Sequence, residues 1–205
     1  AITTENRVLF HRVANTLNYL DIKTVIVSCG TCMDQLQKYE FEKIFPGCRL
    51  LDIHEYLLEK GVKLEGVQGV RYMYHEPCHT PMKTYSGIKV VNDLMGQRVD
   101  LNDRCCGDSG SFAYSRPDIA TQVKFRKQQD IEQQAEKLRA DGFKGDVKIL
   151  TSCPACLQGL SRYDDDADTQ ADYIVVEMAK HLLGDNWMAD YVGKANTGGI
   201  ERVLL

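Results

Sequence analysis

The cysteines in the second half of the chain have the spacing of metal ligands. Cys78 is followed by an adjacent pair, Cys105 and Cys106, and then by Cys153 and Cys156 in a Cys-x-x-Cys arrangement. A Cys-x-x-Cys at a strand-to-helix turn lets two thiolates converge on one metal, and the helix N-terminus favours the thiolate form. A structural zinc site and a cubane iron–sulfur cluster each need only four ligands. Either one of the five cysteines is not a metal ligand, or the metal centre takes more than four ligands.

The composition narrows the class of protein. The chain has 205 residues, eight of them cysteine, and a formal net charge of −4. The N-terminus lacks the regions of a secretory signal, and no apolar run approaches the roughly 18 residues of a membrane helix. We therefore expect a reduced, cytoplasmic setting, where clustered cysteines are usually metal ligands or redox groups. The negative charge argues against a nucleic-acid partner, because phosphate binding needs basic patches.

A second Cys-x-x-Cys, formed by Cys29 and Cys32, belongs to an internal repeat. The stretch "TVIVSCGTCMDQL" matches "KILTSCPACLQGL" at a constant offset of 124 residues. The helical stretch "LLDIHEYLLEKG" that follows the first copy also matches "YIVVEMAKHLLG" after the second. The chain therefore contains two copies of one unit.

The first copy of this unit is incomplete. At the same offset, the counterparts of Cys78, Cys105 and Cys106 would all precede residue 1. We expect residues 1–68 to be the C-terminal part of a first repeat and residues 69–205 to be a complete second repeat with a C-terminal tail. The chain is then expected to be a C-terminal fragment of a longer protein.

Strand and helix signals alternate along the chain. Strands are predicted in "KTVIVSC", "GVRYMYHE" and "DVKILTSC". Helices are predicted at residues 5–19, 31–45, 49–61, 84–95, 117–140 and 173–184. "DDDAD" is predicted as a solvated loop, and "IERVLL" as a last strand or a docking tail. The pattern indicates an α/β fold with small parallel sheets flanked by helices, whose ligand sites lie beyond the carboxyl ends of the strands.

Three segments carry a family resemblance. "YHEPCH", "CCGDSGSF" and "SCPACLQG" resemble the CCG cysteine-rich domain, which occurs in the B-type subunits of heterodisulfide reductase and in iron–sulfur subunits of glycolate, lactate and glycerol-3-phosphate oxidising systems. "VSCGTC" resembles the end of a preceding CCG repeat. The ending "GDNWMADYVGKANTGGIERVLL" is similar to the C-terminus of large FAD-linked oxidases fused to iron–sulfur domains.

The resemblance implies a cofactor and a role. In that family the complete motif can hold an unusual non-cubane [4Fe-4S] cluster through all five cysteines, and some members hold zinc or other iron–sulfur forms. It implies electron transfer within a larger flavin-dependent oxidoreductase, with FAD on another part of that protein. Partners would be FAD-binding and ferredoxin-like domains and a small-molecule or disulfide electron acceptor, at a cytoplasmic location that partners could bring to the inner membrane. The implied ligands are Cys78, Cys105, Cys106, Cys153 and Cys156, with Cys29 and Cys32 serving a second, incomplete site.

Three further residues lie next to the implied ligands. Gly107 is expected to let the backbone approach a cluster, with N–H groups bonding to sulfur. His79 either donates protons near the cluster or packs at the strand end, and the sequence leaves both open. For His75 the sequence favours packing and hydrogen bonding.

Three other functional classes compete with electron transfer. A structural zinc or scaffold module without redox turnover is the main alternative, because many multi-cysteine sites are structural. A thioredoxin-like dithiol at "CGTC" is less favoured, since its twin "CPAC" belongs to the larger cysteine set. "GDSGS" resembles the nucleophile loop of chymotrypsin-like serine proteases, but the α/β pattern is the wrong context for that motif.

Overall fold

The computed structural model describes residues 2–17, 22–108 and 111–198. Its strands are β1 (Thr24–Val27), β2 (Arg49–Asp52), β3 (Val70–His75), β4 (Asp100–Asn102), β5 (Asp146–Thr151) and β6 (Gln170–Tyr173). Its helices are α1 (Ile2–Thr16), α2 (Gly30–Lys38), α3 (Phe41–Ile44), α4 (Ile53–Glu59), α5 (Gly87–Met95), α6 (Phe112–Ser115), α7 (Pro117–Arg139), α8 (Pro154–Leu160), α9 (Asp164–Ala167), α10 (Ile174–Leu183) and α11 (Trp187–Gly198).

The strands form two parallel sheets. One sheet has four strands in the order β4-β3-β5-β6, and the other pairs β1 with β2. Helices cover both faces of the larger sheet. This arrangement confirms the predicted α/β fold with small parallel sheets flanked by helices.

The internal repeat appears as two parallel strand pairs of the same length. β1 pairs with β2 from Thr24↔Arg49 onward, and β5 pairs with β6 from Lys148↔Gln170 onward. Both ladders run for four residue pairs and both are followed by a helix, α4 after β2 and α10 after β6. The repeat read from the sequence is therefore also a repeat of backbone structure.

The core of the larger sheet lies on both of its faces, as the period of two in β3 requires. Tyr72 and Tyr74 pack with α5 and α10 on one face, whereas Met73 packs with α7 and α8 on the other. All three side chains are at most 1% exposed. A strand buried on both faces is held rigidly, and so is its carboxyl end.

Hydrogen bonds of Tyr173 and of the buried Glu55 are among the contacts that join the first strand pair to the rest of the chain. The hydroxyl of Tyr173 lies within hydrogen-bond distance of the carbonyl oxygens of Ser28 (2.5 Å) and Ser152 (3.1 Å), the residues that precede the two Cys-x-x-Cys motifs. The buried Glu55 carboxylate accepts bonds from the backbone N–H groups of Thr84 (2.7 Å) and Tyr85 (2.8 Å). These contacts fix the turns after β1 and β5 relative to each other.

The sequence analysis did not predict the short strands β2, β4 and β6, and it predicted a helix over residues 49–61 that is too long. The segment 49–61 is strand β2 followed by helix α4, where the sequence predicted one helix. β4 has three residues and β6 has four, half or more of them polar or acidic, and neither strand contains a β-branched residue. "DDDAD" is a loop in the prediction but begins with the one-turn helix α9. Residues 200–205, "IERVLL", lie outside the described residues.

Candidate metal centre

Three neighbouring strands deliver the five cysteines to one edge of the sheet. The ladder aligns His75, the last residue of β3, with Asn102 at the end of β4 and Thr151 at the end of β5. Cys78 follows β3, the adjacent cysteine pair follows β4, and Cys153 follows β5 at the start of α8. Ligand sites of parallel sheets lie at this carboxyl edge. The register thus explains how residues far apart in the sequence meet.

The five cysteine side chains form two groups of sulfur contacts that interact electrostatically. The Sγ atoms of Cys106 and Cys156 lie 3.5 Å apart, and both residues are buried. Cys156 also interacts with Cys153, while Cys78 interacts with Cys105 and Cys106. The structure therefore brings Cys156 into contact with both Cys106 and Cys153, and Cys78 into contact with Cys105, and none of the five is in a disulfide.

The shared environment perturbs these thiols in opposite directions. Hydrogen bonding between Cys106 and Cys156 lowers the pKa of Cys106 and raises the pKa of Cys156. Hydrogen bonding from Cys156, together with backbone N–H groups at the start of α8, lowers the pKa of Cys153 to about 6. Burial and the neighbouring Cys105 raise the pKa of Cys78. The thiols that most readily form thiolates are therefore Cys106, which is buried, and Cys153, which caps α8.

Gly107 has the conformation and contacts expected of a residue wrapping a metal centre. Its φ of +71° is in the left-handed region, and its N–H lies 3.4 Å from the Sγ of Cys105. A Cβ at this position would lie 2.9 Å from Cγ of Lys124 and 3.3 Å from Cγ1 of Val123. The backbone can therefore turn toward the cysteines only with glycine here.

Replacing Gly107 with alanine is expected to destabilise the reduced, metal-free chain by about 2–4 kcal/mol, because a left-handed backbone and an overpacked contact with Lys124 both cost free energy. Gly142 is the matched control, since its φ is +81° and a Cβ there would meet nothing within 4 Å. Gly142→Ala should cost only the conformational part, about 1–2 kcal/mol. Urea unfolding of both variants measures the difference, and equal losses would contradict the steric argument.

The second Cys-x-x-Cys stands at the matching turn of the smaller sheet. Cys29 caps α2 and interacts with Cys32; this hydrogen bond, together with burial, raises the pKa of Cys32. Gly30 occupies the place of Pro154 in the other copy. A Cβ on Gly30 would lie 1.6 Å from the carbonyl oxygen of His79, so the close approach of that loop requires glycine. The sequence difference between "CGTC" and "CPAC" has this physical cause.

His79 lies between the two copies. Its Nδ1 is 2.8 Å from Oδ2 of Asp34, which also pairs with Lys83. These two basic groups lower the pKa of Asp34. The side chain of His79 is 67% exposed. A role for His79 near a metal therefore stays a prediction.

Sequence reasoning predicted packing and hydrogen bonding for His75 and missed Lys127 altogether. The side chain of His75 is fully buried, and its ring lies with the sulfurs of Cys106 and Cys156 in a group whose ligand atoms are all within 4.8 Å of one another. Lys127 of α7 is also fully buried and lies 3.0 Å from Nδ1 of His75. A signal for Lys127 exists in the sequence: it falls on the same helical stripe as the buried Ala120, Ile131 and Ala135.

The donor set fits a thiophilic metal or an iron–sulfur cluster. Thiolate ligands select zinc and iron–sulfur clusters, whereas carboxylates and carbonyls suit magnesium and calcium. The buried Nε2 of His75 has no hydrogen-bond partner among the described residues, although the ring has a nitrogen within 4.8 Å of the sulfurs of Cys106 and Cys156. A buried unpartnered polar atom is rare and needs an explanation such as a missing ion. The site therefore has both the ligands and the unsatisfied group that a bound centre would account for.

Comparison with known proteins agrees with this geometry. Residues 72–161 match a family model described as a cysteine-rich domain, CCG, and residues 161–205 match one described as a domain of unknown function, DUF3400. A stretch of 143 residues is 27% identical to a subunit of the CoM/CoB fumarate reductase of Methanothermobacter marburgensis, covering 65% of this chain and 26% of that protein.

A second relative is an uncharacterised iron–sulfur protein of Methanocaldococcus jannaschii. It is 28% identical over 146 residues, which cover 68% of this chain and 27% of the relative. The chain thus spans about a quarter of the length of the curated relatives it matches. No solved structure matches it. None of the helices in the described ranges is long and apolar enough to cross a lipid bilayer.

Proposed function

Because residues 72–161 match the family model of the CCG cysteine-rich domain and the chain is similar to iron–sulfur proteins, we propose that this chain binds an iron–sulfur cluster and transfers electrons through it. The observation that supports the proposal is that Cys106 and Cys156 lie 3.5 Å apart at the carboxyl edge of the sheet, with Cys78, Cys105 and Cys153 in the segments that follow β3, β4 and β5 at the same edge. The proposed ligands are Cys78, Cys105, Cys106, Cys153 and Cys156.

The five ligands have separable tasks in this proposal. Cys106 and Cys156 provide the buried floor of the site, 3.5 Å apart, and exclude water from that side. Cys78, Cys105 and Cys153 are partly or fully exposed and complete the side toward solvent. A bound cluster of this kind supplies one-electron redox chemistry at a potential set by its ligands and hydrogen bonds. Five ligands match the non-cubane [4Fe-4S] centre better than a four-ligand cubane.

The wider assembly is also part of the proposal. Residues 1–68 would be the end of a preceding CCG repeat, whose cluster would include Cys29 and Cys32 and would need ligands from further chain. FAD would reside on another part of the same cytoplasmic oxidoreductase, with ferredoxin-like domains relaying electrons. The Methanothermobacter relative is named as one part of a reductase, which supports membership of a multi-subunit or multidomain reductase.

Anaerobic reconstitution of the purified chain with iron and sulfide tests the proposed cofactor. We expect iron and acid-labile sulfide in equal amounts, with visible absorption that dithionite bleaches, because several thiolates converge on one site. In a parallel experiment, the same metal-free preparation is incubated with zinc alone. Failure to take up iron and sulfide, with one zinc bound tightly instead, would support the structural zinc module and overturn the electron-transfer proposal.

A further inference from the structure

Lys127 is a buried cation whose hydrogen-bond acceptors are all neutral. Its Nζ contacts the side-chain oxygen Oδ1 of Asn102 and lies 3.4 Å from the carbonyl oxygen of that residue and 3.0 Å from Nδ1 of His75. An ammonium group has three donors and no acceptor, so these three contacts use all of its protons. Among the described residues no carboxylate forms an ion pair with it within 4.0 Å. Burying an ammonium without a paired charge is costly, so its hydrogen bonds must be well satisfied.

The orientation of the Asn102 amide is fixed by its other partners. Its Nδ2 donates to Oδ2 of Asp130 at 2.7 Å and to Oε1 of Gln134 at 2.8 Å. Gln134 is oriented in turn because its Nε2 donates to the carbonyl oxygen of Leu101 at 2.8 Å. Two acceptors on the Nδ2 side leave Oδ1 facing Lys127, which needs an acceptor there. Only one of the two orientations of the Asn102 amide, with Oδ1 toward Lys127, therefore satisfies all of these hydrogen bonds.

The contact with Lys127 also fixes the proton on His75. Because Lys127 can only donate, a ring nitrogen 3.0 Å from its Nζ must accept, and Nδ1 therefore carries no proton. The carbonyl oxygen of Asn102, 3.2 Å from Nδ1, then faces another acceptor, and Lys127 bridges the two. The proton of the neutral imidazole must lie on Nε2, a buried atom without a hydrogen-bond partner among the described residues. The same ring has a nitrogen within 4.8 Å of the sulfurs of Cys106 and Cys156.

We propose that Lys127 holds His75 in the Nε2–H tautomer, and that this N–H donates a hydrogen bond to the sulfur of Cys106 or Cys156 when the cluster is bound. This inference rests on the proposed function for the identity of the bound centre, but not for the tautomer. Hydrogen bonds to ligand sulfur stabilise the more negative, reduced state and so raise the reduction potential. Lys127 and His75 are positioning residues, because Lys127 acts through the ring and neither residue is needed as a ligand.

Two observations support this arrangement over a ligand role for His75. Coordination through Nε2 would require the proton on Nδ1, where it would point at the ammonium of Lys127. Burial lowers the pKa of Lys127 to about 8, and the negative charges of Asp130 and Cys106 oppose that shift, so the amine is cationic at neutral pH.

Nitrogen NMR of the histidine rings in the reduced, metal-free full chain tests the tautomer directly. We expect His75 to be protonated on Nε2 in the natural chain. In Lys127→Met the ring should change to the Nδ1–H form, because the carbonyl oxygen of Asn102 is then free to accept from Nδ1. Lys127→Arg keeps a cationic donor and should retain the Nε2–H form, and Lys137→Met, on an exposed position of the same helix, should change nothing. An Nδ1–H ring in the natural chain would overturn the proposal.

Redox titration of the reconstituted chain is the second readout. Lys127→Met should shift the reduction potential to more negative values at full iron content, whereas Lys127→Arg and Lys137→Met should leave it near that of the natural chain. A fully loaded Lys127→Met protein with an unmoved potential would also overturn the proposal. If the chain takes zinc and no cluster, the proposed function fails, but the NMR result still decides the tautomer.

Discussion

Cys106→Ser and Cys156→Ser are each expected to lower the iron bound after reconstitution at least about tenfold, since loss of a supporting residue around a metal ligand already costs 10–100-fold in affinity. Both sulfurs are buried and lie 3.5 Å apart, so each variant removes a thiolate from the water-excluded side of the site. Serine oxygen is a poor substitute because it is shorter and harder than thiolate sulfur. Iron, labile sulfide and visible absorption together measure the loss.

Cys48→Ser is the matched control for these variants. Cys48 is a buried free thiol like Cys106, but its sulfur contacts the carbonyl oxygen of Arg49 in the smaller sheet. It therefore tests the effect of burying a hydroxyl without touching the site. Equal iron content in Cys48→Ser and Cys106→Ser would mean that Cys106 is not a ligand. Cys105→Ser decides the ligand count, because an unchanged spectrum there would reduce the site to four cysteines.

The spacing of the cysteines was enough to predict which side chains meet, because parallel strands place their carboxyl ends at one edge. The adjacent pair Cys105-Cys106 divides between two environments, with Cys106 buried against Cys156 and Cys105 half-buried against Cys78. Neighbouring residues of an extended segment point in opposite directions, so this division follows from local geometry. Two consecutive thiols can in this way reach different parts of one centre.

The supporting network was beyond sequence reasoning for a physical reason. Lys127 is 22 residues after Cys105 and lies on a different element from His75, so only the packing of α7 on the sheet brings the two together. A lysine on an amphipathic helix is normally solvated. Its burial depends on Asn102, which ends a three-residue strand that has no sequence signature of its own. Short strands such as β4 and β6 form because neighbouring strands supply the ladder, not because of their own propensity.

Glu177→Ala is expected to destabilise the folded chain by about 3–5 kcal/mol, the cost of breaking a buried ion pair by removing one partner. The Glu177 side chain is 1% exposed; its carboxylate accepts from Lys148 at 2.8 and 3.0 Å and from the hydroxyl of Tyr72 at 2.7 Å. Lys148 lies on β5 and Glu177 on α10, so the pair joins the helix to the strand that leads into Cys153. Alanine would leave the Lys148 ammonium nearly buried without its carboxylate.

The exposed pair of Lys89 and Asp93 on α5 provides the control for Glu177. Its partners are 68% and 44% exposed and 2.9 Å apart, so Asp93→Ala should cost no more than about 0.5 kcal/mol. A double variant, Glu177→Leu with Lys148→Met, should recover much of the loss, because a buried ion pair can be replaced by apolar side chains of similar volume. Urea unfolding at neutral pH gives all three free energies, and a Glu177→Ala cost no larger than that of Asp93→Ala would contradict the argument.

The same carboxylate makes stability depend on pH in a predictable direction. Burial alone would raise the pKa of Glu177, but hydrogen bonds from Lys148 and Tyr72 outweigh it, and the pKa lies below its ordinary value of 4.5. A carboxyl group with a lowered folded-state pKa stabilises the fold fully above its unfolded-state pKa and loses that contribution as the pH falls through the folded-state value. The difference in unfolding free energy between the natural chain and Glu177→Ala should therefore shrink as the pH drops below 4.5. A difference that stays constant through that range would mean that the ion pair is not the source of the stabilisation.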